Sequence, residues 1–170
     1  MSTSFLLYEA FERIVRQYFL AKKYIFVDAN SKNEPYDFVV RSPEGSLVAV
    51  EAKVFRTRLV GRGDVIRAIN ALERARESIG ANEALFFVSS LIAIPIVETG
   101  KTQVVDLNGF EKLLADNPQL HSELKALVRE LAPAPVSPED MLAYAIFGDA
   151  FSPAQDPTDV QEGKRHLRCY

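Results

Sequence analysis

The stretch from Glu34 to Lys53, EPYDFVVRSPEGSLVAVEAK, constrains the fold of this chain more than any other. It reads as two strands, Tyr36–Arg41 and Leu47–Lys53, joined through Ser42, Pro43, Glu44 and Gly45. Pro43 presets the first turn dihedral, and Gly45 tolerates the positive φ that a three-residue hairpin loop with a bulge requires. Such a loop pairs Ser42 with Ser46, and every other facing pair then has the same sum of residue numbers. Asp37 falls opposite Glu51 on one face of the sheet. Residues two apart on a strand share a face at roughly 7 Å, so Lys53 joins them. A four-residue loop would slip the register by one and turn Asp37 away. The placement therefore depends on Gly45.

Two carboxylates and an amine in one place point to a chemistry. A hard divalent cation such as magnesium accepts few protein ligands and keeps its water. An adjacent lysine can orient or deprotonate that water, or offset charge on a phosphate. The residue types thus suggest metal-assisted phosphodiester hydrolysis. The alternative is a cross-strand ion cluster on a solvated face, contributing tenths of a kcal/mol. Val48 and Val50 face one side, while Leu47 and Ala49 lead into Glu51 and Lys53 on the other. Glu51 therefore ends an apolar strand, where burial calls for a partner or a metal.

The elements around the hairpin follow from periodicity. Phe5 to Leu20 reads as an amphipathic helix with Leu7, Ala10, Phe11, Ile14, Val15, Tyr18 and Phe19 on one face. On its flank, Glu12 can pair with Arg16 one turn on or point toward the hairpin. Tyr24–Asp28 is a short first strand. After Lys53 the strand frays into Arg56–Gly63, read either as a solvated connection or as a substrate-contacting flap. Asp64 is expected to cap a second helix reaching Ile79, which Gly80 stops. Ala84–Ser89 reads as a fully buried strand. Leu91–Glu98 is ambiguous because of Pro95, and Gln103–Asp106 is a further short strand. Helices follow over Asn108–Ala115 and Pro118–Leu131. The expected class is α/β with a mixed sheet flanked by helices.

At 170 residues the chain can bury a real core in one domain, expected over residues 1–131. Residues 132–170 form the remainder: the stiff segment PAPVSP, a short helix over Glu139–Phe147 able to dock on the domain or on a protein partner, and a polar tail expected to be disordered. Cys169 is the only cysteine, which excludes an internal disulfide and argues against a thiolate zinc site. His121 and His166 stand apart from any motif. No apolar run has membrane-spanning length and no signal peptide is evident, so the cytoplasm is the expected compartment. A net charge of −3 argues against indiscriminate nucleic-acid binding. Its distribution argues for local binding: Lys53, Arg56, Arg58, Arg62 and Arg67 face a single acid, Asp64, in that interval.

A helix carrying Phe11-Glu12, three strands carrying Asp37 and Glu51-Ala52-Lys53, then a helix and an apolar strand: this order resembles the PD-(D/E)XK nuclease superfamily. Within it the Mrr-type restriction endonucleases and the Holliday-junction resolvases are most similar. The resemblance spans Phe5 to Leu114 and includes the segment VVDLNGFEKLL. It implies a restriction endonuclease-like core in α-β-β-β-α-β order. It implies that Asp37, Glu51 and the Ala52 carbonyl hold Mg2+ or Mn2+, that Lys53 positions or activates the attacking water, and that Glu12 reaches the site directly or through water. Arg56, Arg58, Arg62 and Arg67 would contact the nucleic acid, with Arg67 or Asn70 standing where the family has a polar residue early in its second helix. Tyr36 separates Pro35 from Asp37, a departure from the eponymous Pro-Asp pair. The activity implied is a magnesium-dependent endonuclease acting on DNA, with a homodimer left open. The alternative is a catalytically silent module of the same fold that binds nucleic acid or a protein.

Overall fold

A computed structural model describes residues 3–29, 34–55, 57, 59–92 and 100–131. Arg56, Arg58, the PAPVSP segment, the expected Glu139–Phe147 helix and the tail lie outside the described residues. The fold is mixed α/β. Helix α1 (Thr3–Ala21) precedes an antiparallel set of strands, β1 (Ile25–Ala29), β2 (Phe38–Arg41) and β3 (Leu47–Lys53). A short β4 (Leu59–Val60) leads into α2 (Arg62–Ile79), then β5 (Glu83–Val88), β6 (Leu91–Ile92) and β7 (Thr102–Val105). Two helices, α3 (Leu107–Leu113) and α4 (Pro118–Leu131), complete it. Five strands form the main sheet in the order β1-β2-β3-β5-β7. β3 is its hinge of direction: antiparallel to β2 and parallel to β5.

The hairpin register is the one its turn demands. Gly45 has φ +95°, its amide donates to the Ser42 carbonyl, and the Ser42 amide donates to the Ser46 carbonyl at 2.8 Å. Arg41 faces Leu47, and the pairing runs back to Phe38 against Val50. The alternation of β3 then divides its side chains between two cores. Val48, Val50 and Ala52 lie against α1, α3 and α4, whereas Ala49 lies against α2. On the first face Phe19, Phe38, Phe87 and Phe110 stack edge to face at 4.9–5.9 Å between centroids. Each such fully buried ring contributes about 1.5–3 kcal/mol through area removed from water, with an added increment from the edge-on geometry. On the second face Val65, Ile69 and Leu72 of α2 cover Ala84, Phe86 and Val88. Both faces of β3 and β5 are thus covered, which is why these strands read as nearly unbroken apolar runs.

One expectation is corrected here. Asp64 does not cap α2: the N-cap is Gly61, without a side-chain hydrogen bond, and Asp64 sits inside the first turn. A carboxylate there still complements the positive end of the helix dipole. The segment after Lys53 is anchored at its far end. Leu59 and Val60 are buried and pair in parallel with Leu91 and Ile92 as a second, two-stranded sheet. Two apolar residues between charged flanks are enough to anchor it. Among the described residues no helix is long and apolar enough to cross a membrane.

Helix α2 is fastened to β7 by one carboxylate. Glu73 accepts from Arg76 Nε and Nη2 at 3.0 and 2.8 Å and from the buried Thr102 hydroxyl. The hydrogen bonds from Arg76, then those from Thr102 and the Lys101 amide, hold Glu73 down at about 2 against the cost of burial. A depressed carboxylate stabilises the fold above its ordinary titration range and loses that contribution as pH falls toward the folded value. Glu73→Gln is therefore expected to cost about 1.5–3 kcal/mol at pH 7. The difference from the native protein should shrink as pH drops from about 4.5 to about 2. Denaturant unfolding at pH 7 and pH 2.5 measures both; a difference that does not change with pH would mean the carboxylate charge is not what fastens α2.

Candidate active site at the end of strand β3

The site forms where β2 and β3 part. Val50 and Ser46 direct their carbonyls toward β2, while Leu47 and Lys53 direct theirs toward β5. Even-numbered residues of β3 therefore address β2, and Ala52 is the next in that series. Its main-chain partner should lie on β2 beyond Phe38, but the pairing has ended. Asp37 takes over with its side chain: Oδ2 accepts the Ala52 amide at 2.7 Å, while the Asp37 amide donates to the Val50 carbonyl at 2.7 Å. The Asp37–Glu51 ladder pair expected from the register is thus replaced by a carboxylate capping the strand edge. By the same alternation the Ala52 carbonyl points toward this edge, past the end of the ladder.

Helix α1 supplies the other wall through residues one turn apart. The Tyr8 hydroxyl donates to Asp37 Oδ1 at 2.6 Å. Arg16 Nε donates to Glu12 Oε1 at 2.7 Å, and the Arg16 guanidinium lies over the Phe38 ring at 4.4 Å. Glu12 thus makes the helical ion pair that its sequence position allows. It is nonetheless close enough to push Asp37 and Glu51 upward.

Electrostatics bind these groups into one site. Burial first, then the negative charge of Asp37, lifts Glu51 to about 7, and Lys53 only partly offsets this. Asp37 is also raised by burial, with the Tyr8 and Ala52 hydrogen bonds opposing. Burial and the bond to Asp37 push the Tyr8 phenol far above its ordinary range. Three carboxylates face two cations, Arg16 and Lys53, so the site is short of positive charge. A cavity of about 260 Å³, lined by Leu7, Tyr8, Glu51, Lys53, Val54 and Leu131, opens beside Ala52.

Such a donor set suits a small hard cation. Mg2+ asks for one or two carboxylates and keeps several waters; Asp37, Glu51 and the Ala52 carbonyl are the groups that could hold it here. Among the described residues no three His, Cys, Asp or Glu side chains are grouped to hold a metal ion.

Beyond Lys53 the chain is held by hydroxyls that the sequence reading passed over. The Ser89 amide donates to the Lys53 carbonyl and Ser89 Oγ accepts the Phe55 amide, both at 3.1 Å. Ser90 Oγ donates to the Thr57 carbonyl, and Thr57 Oγ1 donates to the Leu59 carbonyl. Ser89 and Ser90 are both buried. Of the expected nucleic-acid contacts, Arg62 opens α2 and is exposed, and Arg67 is exposed and ion-paired with Asp64. Such an exposed pair is worth little and leaves Arg67 able to turn to a phosphate. Asn70 lies half-buried on α2. Tyr8 is the residue of the site that sequence reasoning missed; its spacing of four from Glu12 was the available signal.

No family model matches the chain, and no curated protein shows significant similarity to it.

The raised Glu51 makes a testable statement. Its folded value of about 7 lies above the ordinary carboxylate value, so the folded state binds the proton more tightly than the unfolded state does. Stability is then highest below pH about 4.5, falls as pH rises to about 7, and stays low above it. With metal chelated, Glu51→Gln should match the native protein near pH 4 and exceed it at pH 8 by on the order of 2–3 kcal/mol. Unfolding curves at the two pH values decide; a variant less stable than native at pH 8 would show that the carboxylate charge is well solvated.

Proposed function

We propose that this chain is a metal-dependent endonuclease of PD-(D/E)XK type that hydrolyses phosphodiester bonds in DNA. The observation that carries the reading is the closeness of Asp37 and Lys53 to Glu51 at one end of β3, beside a cavity that Glu51 and Lys53 line. Asp37, Glu51 and the Ala52 carbonyl would hold Mg2+ or Mn2+. The cation would supply charge to the scissile phosphate and make water acidic enough to attack at neutral pH. Lys53 is exposed at the strand end, free to orient the attacking water and to offset charge on the phosphate. Glu12, held by Arg16, adds negative potential that favours the cation.

Cleavage of a supercoiled plasmid should require Mg2+ or Mn2+ and stop on chelation. Lys53→Ala should lower the rate at least a hundredfold while the metal still raises the unfolding temperature. Asp37→Asn should lose both cleavage and the metal-induced shift. Native-rate cleavage by Asp37→Asn would remove this residue from the mechanism. Absence of cleavage by the native protein together with retained DNA binding would favour the silent module.

The basic residues after Lys53 are proposed to hold the backbone. Arginine forks onto phosphate oxygens in a way lysine does not, and Arg56 and Arg58 follow Lys53 within five residues. With metal chelated, Arg56→Ala combined with Arg58→Ala should reduce the slope of log affinity against log salt by about two, near one per lost contact. An unchanged slope would place the backbone on another surface.

A further inference from the structure

We infer that Tyr8 is a positioning residue whose hydroxyl sets the affinity of the site for its divalent cation, an inference that rests on the nuclease reading above. A carboxylate offers about four acceptor positions, two on each oxygen. The Ala52 amide takes one on Oδ2 and Tyr8 takes one on Oδ1, at 2.7 and 2.6 Å. One position on each oxygen remains, and the two bonds together fix the plane of the carboxylate. With the amide alone, Asp37 could swing about that single contact, and the neighbouring carboxylates Glu12 and Glu51 repel it.

The type of donor matters as much as its place. A lysine or arginine at position 8 would hold Asp37 equally well, but its charge would compete with the cation. A phenol steers the carboxylate and leaves its charge available. Tyr8 is half-buried, projects from α1 and lines the same cavity as Glu51 and Lys53, so its ring is placed by the helix rather than by the hairpin it serves. Partners of this kind, one bond removed from a metal, typically alter affinity or activity by 10–100-fold when lost.

Tyr8→Phe tests this, since it keeps the ring and deletes one oxygen. Binding of Mn2+ to the full chain without nucleic acid, read from the paramagnetic resonance signal of the free ion, should weaken about 10–100-fold. The Mg2+ concentration giving half-maximal plasmid cleavage should rise by a similar factor, and excess Mg2+ should restore the rate to within a few-fold of native. A purely structural role would lower the maximal rate or the unfolding temperature without moving the metal dependence, and that result overturns the inference. So does unchanged Mn2+ affinity where Asp37→Asn has lost it; the metal assignment of the nuclease reading then survives. If the native chain binds no Mn2+, or Asp37→Asn binds as tightly as native, that assignment fails and the role of Tyr8 falls with it.

Discussion

One hydrogen bond, from the Ala52 amide to the Asp37 carboxylate, decides where the sheet opens. β3 is paired on both sides as far as Val50 and continues beside β5 to Lys53. On the β2 side a main-chain acceptor is missing at Ala52, and an unpaired amide in a buried strand is costly. A carboxylate closes that gap at short range, so β2 can leave the ladder without leaving a donor unsatisfied. The strand edge left behind carries Glu51, the Ala52 carbonyl and Lys53 into the cavity under α1. Fold and site are therefore joined at Asp37: the group that terminates the pairing is also a candidate ligand.

The cost of this arrangement is electrostatic. Three carboxylates share the region with Arg16 and Lys53, and the deficit falls on Glu51, which burial and the charge of Asp37 lift to about 7. Asp37 is eased by two donors and Glu12 by Arg16. Proteins keep such costs where a function depends on them, and a bound cation is the natural source of relief. The same imbalance is a weaker argument for a module that only binds, because binding a polyanion is not helped by surplus negative charge unless a cation intervenes.

Much of this was legible in the sequence because it is local. Gly45 and Pro43 set the hairpin register, and the 3.6-residue spacing marked α1 and, to the residue, α4. The apolar run ending in Glu51 marked the strand that both core faces cover. What escaped reading depends on distance along the chain. β4 and β6 are two residues each and exist only because Leu59-Val60 and Leu91-Ile92 meet across α2 and β5; no window on either segment carries that information. The ladder stops at Phe38 and Val50, one step short of the expected Asp37–Glu51 pair, for a related reason. Extrapolating the register one step past Phe38 ignored the option of a side chain replacing the main chain, which short carboxylates exercise at the ends of elements. Tyr8 was passed over because a tyrosine near an apolar helix face reads as packing until its hydroxyl partner is known.

The hydroxyl clasp of Ser89, Ser90 and Thr57 gives the last structural step toward function. Lys53 is the final residue of β3, and a lysine at a strand end with a loose exit would sample many positions. Here the following segment is tied to the end of β5 at Lys53, Phe55 and Thr57, then locked by the β4–β6 pair. The main chain around Lys53 is thus as constrained as a strand interior, and its amine ranges only by its own side-chain rotamers. Lys53, the last residue of β3, is thereby held at the edge that carries Glu51 and the Ala52 carbonyl.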